Sequence, residues 1–275
     1  MTPTSAVARL HQTLVALGLT QADAVLEAHL ERAARQSVAY ADFLQELLTC
    51  EVTARQDRQV RNRLQQARLP FVRTLEQFDF AFQPSLDARQ VNELRTLRFV
   101  HEASNVVFLG PPGVGKTHLA VGLAVEAVRA GFSALFLTAH EMVSELGKAA
   151  REGTLSRRLR ALVTPKVLVI DEMGYLPLDE MGASLFFQMV SARYERGSIL
   201  LTSNKSYSEW GAVLKEPVIA TAILDRLLHH STTINIRGES YRLKERRQAG
   251  LLTRPSQQTT PSTPSQRISA PPQET

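Results

Sequence analysis

The sequence predicts an α/β fold: a parallel five-stranded sheet with helices on both faces, preceded by a small all-helical domain. Three observations carry that prediction. Short apolar runs alternate with amphipathic segments across residues 75–250; one of those runs opens into a glycine-rich loop; another ends in paired carboxylates. Apolar strands alternating with helices imply a parallel sheet covered on both faces, whose carboxyl edge is where ligands bind.

Residues 1–74 read as helices. Ala22, Val25, Leu26, Leu30 and Ala33 recur at helical spacing, as do Phe43, Leu44, Leu47, Leu48 and Val52. Past Thr53, Arg55, Arg58, Arg61, Arg63, Arg68 and Arg73 fall among few acids. Two readings stay open there: a solvated helix face, or an arm contacting phosphates, which guanidinium suits well. Strands are expected at 106–109, 134–138, 166–170, 198–203 and 232–236, with helices between them. The helix over 181–195 carries apolar Leu185, Phe186, Met189 and Val190. Residues 251–275, rich in Pro, Ser, Thr and Gln, cannot bury enough apolar surface to offset ordering entropy and read as a disordered tail.

Gly110-Pro111-Pro112-Gly113-Val114-Gly115-Lys116-Thr117 fits the spacing G-x-x-x-x-G-K-[ST], between an apolar strand and a helix that continues through His118. Glycines let successive N–H groups turn inward onto phosphate oxygens, and the helix N-terminus adds partial positive charge. Lys116 can reach β- and γ-phosphates, and the Thr117 hydroxyl can ligate Mg2+. The strand 166–170 then runs into Asp171-Glu172: Asp171 is placed for the magnesium shell and Glu172 for a base that polarises water. The alternative makes the pair an acidic helix start. Asn204, at the end of the next strand, either orients water or forms a turn. Arg226, before the last strand, either reaches a neighbouring subunit's γ-phosphate or pairs with Asp225 or another surface acid.

Bulk properties narrow the class. The 275 residues are 44 % hydrophobic, enough for a real core. A net charge of +5 and a pI near 9.6 are compatible with nucleic acid. The one cysteine, Cys50, excludes an internal disulfide and fits a reducing cytoplasm. No apolar run is long enough to span a bilayer, and Met1-Thr2-Pro3-Thr4-Ser5 lacks a secretory pattern, so no membrane association is expected.

These elements in this order resemble the AAA+ ATPases, in the initiator and helicase-loader branch with DnaA and DnaC. The likeness is greatest to the IstB-like transposition helpers, over nearly the whole chain to about Arg246. Beyond the phosphate loop and Asp171-Glu172, it rests on Thr74-Leu75-Glu76-Gln77-Phe78-Asp79-Phe80, Ser191-Ala192-Arg193-Tyr194-Glu195-Arg196-Gly197-Ser198, Ala222-Ile223-Leu224-Asp225-Arg226-Leu227-Leu228-His229-His230 and Ile236-Arg237-Gly238-Glu239-Ser240-Tyr241-Arg242. The resemblance implies Walker A at 110–117, Walker B at Asp171 and Glu172, sensor 1 at Asn204 and a trans-acting arginine finger at Arg226. It implies an ATP- and Mg2+-dependent homo-oligomer on double-stranded DNA that recruits and regulates a transposase in the bacterial cytoplasm. A replicative helicase loader of the DnaC type is the alternative. The helical lid of a full AAA+ module looks absent or minimal, so the resemblance assigns no sensor 2.

Lys148, Arg151, Arg157, Arg158 and Arg160 form a second basic cluster, either a solvated helix or, as the family placement favours, a face for DNA phosphates. Phe78 and Phe80 fit either the adenine or the core. The adjacent His229-His230, without a carboxylate at ligand spacing, reads as structural. Trp210 and Tyr175 read as packing or oligomer contacts.

Overall fold

The computed structural model describes residues 3–248; the expected tail at 251–275 lies outside the described residues. Helices α1 (Pro3–Ala16), α2 (Thr20–Gln36) and α3 (Tyr40–Gln66) come first, then α4 (Ala88–Arg95) and α5 (Arg98–His101). The sheet region runs β1 (Asn105–Leu109), α6 (Lys116–Arg129), β2 (Ala134–Thr138), α7 (Ala139–Arg151), α8 (Leu155–Val163), β3 (Val167–Met173) and α9 (Glu180–Arg193). It closes with β4 (Ser198–Ser203), α10 (Trp210–Leu214), α11 (Pro217–His229), β5 (Ser231–Asn235) and α12 (Tyr241–Gln248). The strands order as β2-β3-β4-β1-β5, every pair parallel.

Period-two alternation divides the core. Val106, Phe108, Val167, Val169 and Leu200 face one layer with α4, α5 and α6. Val107, Leu109, Leu168, Ile170 and Leu201 face the other, with α7 to α11. Each fully buried aliphatic side chain contributes roughly 1.5–3 kcal/mol. β3 runs three residues beyond the expected strand, through Asp171 and Glu172 to Met173, because the ladder resumes after a bulge. After β5 one short helix, α12, stands where a lid would follow.

Arg193, 1 % exposed, ties the second layer together. Its guanidinium donates to the carbonyls of Leu162 (2.6 Å), Val163 (3.3 Å), Pro165 (2.9 Å), Lys166 (3.2 Å) and Ser198 (2.9 Å). Burial pushes it down to about 10, so it stays charged at neutral pH. One cation thereby joins the end of α9 to the chain entering β3 and β4. A Cβ on Gly197 would lie 2.7 Å from the guanidinium, which accounts for a glycine there. Trp210 is fully buried, in the core reading rather than the oligomer one.

Helices α1 to α3 have their own small core of Leu14, Ala22, Leu26 and Leu47. Leu19 cannot cap α2, so Glu51 of α3 does: its carboxylate accepts from the N–H groups of Gln21 (2.7 Å) and Ala22 (3.2 Å) and pairs with Arg58 (3.0 Å) and Arg55 (3.7 Å). The far end of α3 belongs to the sheet layer. Val60, Leu64 and Ala67 pack into it, and the Ala67 carbonyl accepts from Phe136 N on edge strand β2 (2.8 Å). Arg55 and Arg58 serve Glu51, and Arg68 lies 3.6 Å from Glu145, so half of the basic segment has intramolecular carboxylate partners.

Two predictions follow from these buried charges. Arg193→Met strips donors from five carbonyls and should cost about 3–5 kcal/mol in urea denaturation, with Arg193→Lys recovering part of it. Burial pushes Glu51 up, but the N–H groups of Ala22 and Gln21 and the Arg58 and Arg55 charges outweigh it and hold it below the usual range. Its contribution is therefore present above about pH 4.3 and lost as pH falls through the lowered folded value. Acid titration of helicity should show that loss in the wild type, and a smaller one in Glu51→Gln.

Candidate functional site

The phosphate loop leaves β1 at the carboxyl edge of the sheet. Gly110 N donates to the Ser203 carbonyl (3.2 Å), which leashes the loop to the end of β4. Gly113 (φ +83°) and Gly115 (φ +97°) take left-handed conformations. A Cβ on Gly113 would lie 2.1 Å from Ser240 Oγ, and one on Gly115 2.5 Å from the Phe78 ring. Tyr241 N at the start of α12 donates to the Gly113 carbonyl (2.9 Å), so the segment after β5 seats against the loop. Helix α6 begins at Lys116 with Gly115 as its N-cap. Lys116 Nζ donates to the carbonyls of Gly110 (2.7 Å) and Pro111 (2.8 Å). Burial and the nearby Arg242 lower its pKa against the pull of Asp171.

Asp171 is 5 % exposed and needs donors. The Thr117 hydroxyl donates to it at 3.0 Å, and the Thr202 hydroxyl makes a second, shorter bond. Thr202 Oγ1 in turn accepts from Glu172 N (3.1 Å). Asp171 and Glu172 together oppose Thr202, since Ile170 pairs with Leu201 and Met173 with Ser203. This bulge holds Glu172 at φ +61°, a conformation costing roughly 1–2 kcal/mol for a residue with a Cβ, and exposes its carboxylate.

These groups line one cleft of about 760 Å³, with Lys116, Thr117, Asp171 and Glu172 on its floor and Phe78, Phe82, Gln83 and Arg73 on its wall. Phe78 packs against His118 at 5.4 Å, while Phe80 meets Phe78 edge-on in the core and is absent from the cleft lining. Burial, aided by Arg73, lowers the His118 pKa; the neutral ring donates from Nε2 to the Thr74 carbonyl (2.9 Å) and ties the wall segment to α6. The donor set fits a nucleotide with a hard cation: the loop N–H groups at the N-terminus of α6 and an ammonium for phosphates, a hydroxyl and a carboxylate for Mg2+.

Other expected residues lie apart. Asn204 follows Ser203 at the loop's leash, and its Oδ1 is buried with no hydrogen-bond partner among the described residues. Arg226 lies outside the cleft: it donates to the Ala222 carbonyl (3.1 Å), and its guanidinium lies 4.8 Å from the Phe187 ring centre. No ion pair to Asp225 forms among the described residues. Lys148, Arg151, Arg157 and Arg160 are exposed along α7 and α8. Arg158 departs from the expected face: it is half-buried and paired with Glu145. Two residues at the site escaped the sequence reading, Arg242 in the cleft lining and Thr202 behind Asp171. Thr202 was legible only as a polar strand end, and Arg242 only within the string after β5. Among the described residues no helix is long and apolar enough to cross a membrane.

The family described as IstB-like ATP binding protein matches residues 12–249. An insertion sequence IS21 protein of Pseudomonas aeruginosa, named for ATP binding, is 53 % identical over 229 residues, 83 % of this chain and 86 % of that protein. An IS5376 counterpart from Geobacillus stearothermophilus is 48 % identical over 217 residues, 79 % of this chain and 86 % of that one. AMPPCP-bound DnaA from Aquifex aeolicus superposes with a TM-score of 0.51 at 20 % identity, over 68 % of this chain and 58 % of that chain. DnaI gives 0.51 at 22 %, over 59 % and 90 %. At these identities the two solved structures show the shared fold alone.

Thr202→Val keeps the side-chain shape and deletes the hydroxyl between Asp171 and Glu172. It should cost about 1–3 kcal/mol in chemical denaturation and weaken Mg-nucleotide binding in a fluorescence titration, with Thr202→Ser restoring most of both.

Proposed function

Because the chain belongs to the family of IstB-like ATP binding proteins, we propose that it is a Mg2+-dependent ATPase that oligomerises on double-stranded DNA in the bacterial cytoplasm. There it recruits and regulates the transposase of its insertion element. The observation that carries this reading is the hydrogen-bonded series Thr117–Asp171–Thr202–Glu172 beside Lys116, which sets a cation-holding carboxylate next to an outward-facing one. We take residues 1–74 as the partner- or DNA-binding module and 75–250 as the ATPase domain. The insertion-sequence names of the similar proteins favour a transposase over a helicase as partner.

ATP phosphates bind the N–H groups of residues 113–117. Lys116 exchanges its two loop carbonyls for phosphate oxygens. Mg2+, when bound, offsets phosphate charge and orients the γ-phosphate, and Thr117 and Asp171 would hold it. Glu172 accepts the proton of the attacking water, and the unpartnered Asn204 amide oxygen orients that water. Arg242 stabilises γ-phosphate charge from within the subunit. Arg226 does so from a neighbour, which fits its distance from its own cleft. Lys148, Arg151, Arg157 and Arg160 contact DNA phosphates.

Turnover and assembly on duplex DNA test this reading. Glu172→Gln should bind ATP normally, lose about 10²-fold or more in turnover and sediment persistently with DNA. Arg226→Ala and Lys116→Ala should each be inactive alone and partly active when mixed. Normal turnover in Glu172→Gln, or assembly on DNA that ignores ATP, would refute the proposal.

A further inference from the structure

We propose that Glu195, His229 and His230 form a binding site for a divalent transition-metal ion of the Zn2+ class, at the end of the sheet opposite the phosphate loop. His230 lies there because its carbonyl accepts from Asn105 N (2.8 Å), the first residue of β1, whereas the loop leaves the other end of that strand. The placement is independent of the nucleotide cleft and of the role given to Arg226.

Adjacent side chains at a helix end ordinarily diverge, but these converge. His229 is the last residue of α11, and His230 leaves the helix at φ −126°, ψ 88°. Their ring centres are 4.1 Å apart. Glu195 arrives just past the end of α9 in a left-handed conformation, φ +57°, one that a residue with a Cβ adopts only under strain. One ligand atom from each of the three lies within 4.8 Å of the others, and His230 Nε2 is 3.8 Å from Glu195 Oε1. The carboxylate whose absence from the local sequence argued against a metal thus comes from the turn after α9, more than thirty residues earlier.

Two features favour a cation over a plain surface ion pair. The C-terminal ends of α9 and α11, each carrying partial negative charge, meet at the cluster. The Tyr194 oxygen lies 2.7 Å from His229 Nδ1. With the proton on Nδ1, His229 donates to Tyr194 and turns the Nε2 lone pair outward, the outer hydrogen bond that metal-ligating histidines use. Two imidazoles and a carboxylate suit Zn2+ rather than Mg2+ or Ca2+, which favour all-oxygen sets. Tetrahedral bonds of about 2.0–2.1 Å need ligand atoms roughly 3.4 Å apart. Rotation of three exposed side chains closes the widest pair, with water as fourth ligand. The bound ion clamps α9 to α11, one turn from the stack of Arg226 on Phe187.

The test uses the full chain, free of nucleotide, titrated with Zn2+ against a chromophoric chelator and followed by thermal melting. The wild type should bind one more equivalent than the His229→Ala/His230→Ala double variant, and Zn2+ should raise its Tm where Mg2+ does not. Glu195→Gln and Tyr194→Phe should each weaken that equivalent about tenfold or more. Equal stoichiometry in the wild type and the double variant overturns the site, as does undiminished affinity in Glu195→Gln. Circular dichroism of the variants, substituted at exposed residues apart from the half-buried Tyr194, confirms that they fold.

Discussion

The site depends on one buried carboxylate and the way a strand bends to supply its donors. Asp171 ends the apolar run of β3 and is 5 % exposed, so most of its solvation must come from protein donors. Its donors come from two directions: Thr117 at the start of the loop helix and Thr202 on the neighbouring strand. A regular ladder would turn Glu172 away from the face Asp171 serves. The bulge places both residues opposite Thr202, and the Thr202 hydroxyl then also fixes the backbone of Glu172. The left-handed φ of Glu172 is the cost of presenting two successive carboxylates at one edge, one sheltered and one open. Sheet, loop and chemistry meet in that bond series, and a change to any member displaces the rest.

Features that repeat were legible in the sequence. Apolar runs located all five strands because a parallel sheet buries both faces of each strand, and the loop announced itself because phosphate cradling needs glycines at fixed offsets. Features that depend on a single distant partner were hidden. Arg193 reads as one more charge on an amphipathic helix, yet its guanidinium holds five carbonyls from two other segments. The string 191–198 had signalled the family without a reason; the staple and the room for it at Gly197 are the physical content of that string. Arg158 shows the converse. Spacing put it in a basic face, and Glu145, thirteen residues earlier, took it out. Thr202 and Arg242 were missed because a strand-end threonine and an arginine in a polar string carry no periodic signal.

The joint between the helical module and the sheet domain has the same economy. Helix α3 runs without interruption from the core around Leu47 to the core around Ala67, so no loose linker separates the two. Just past its end the Ala67 carbonyl accepts from Phe136 N on the edge strand β2, and the next residue, Arg68, meets the Glu145 that pairs with Arg158. The chain then turns through Pro70, Phe71 and Arg73 along the cleft wall to Phe78, which packs over Gly115 and His118.

The single stretch from Ala67 to Phe78 therefore touches the edge strand, the α7–α8 face and the loop that surrounds the cleft. Coupling between sites needs contiguous packed contacts with two arrangements, and the contiguity is present. The second arrangement would come from the cleft itself. Lys116 is held by two loop carbonyls, and Thr117 is held by Asp171. Phosphate and a cation compete for those same groups, so occupancy must break these bonds. The ring of Phe78 rests on the backbone that carries them, and its own chain leads back to Arg68 and Ala67. The wall segment thus links the loop, through the Phe78 ring on Gly115, to Arg68 and Ala67 by contiguous packed contacts.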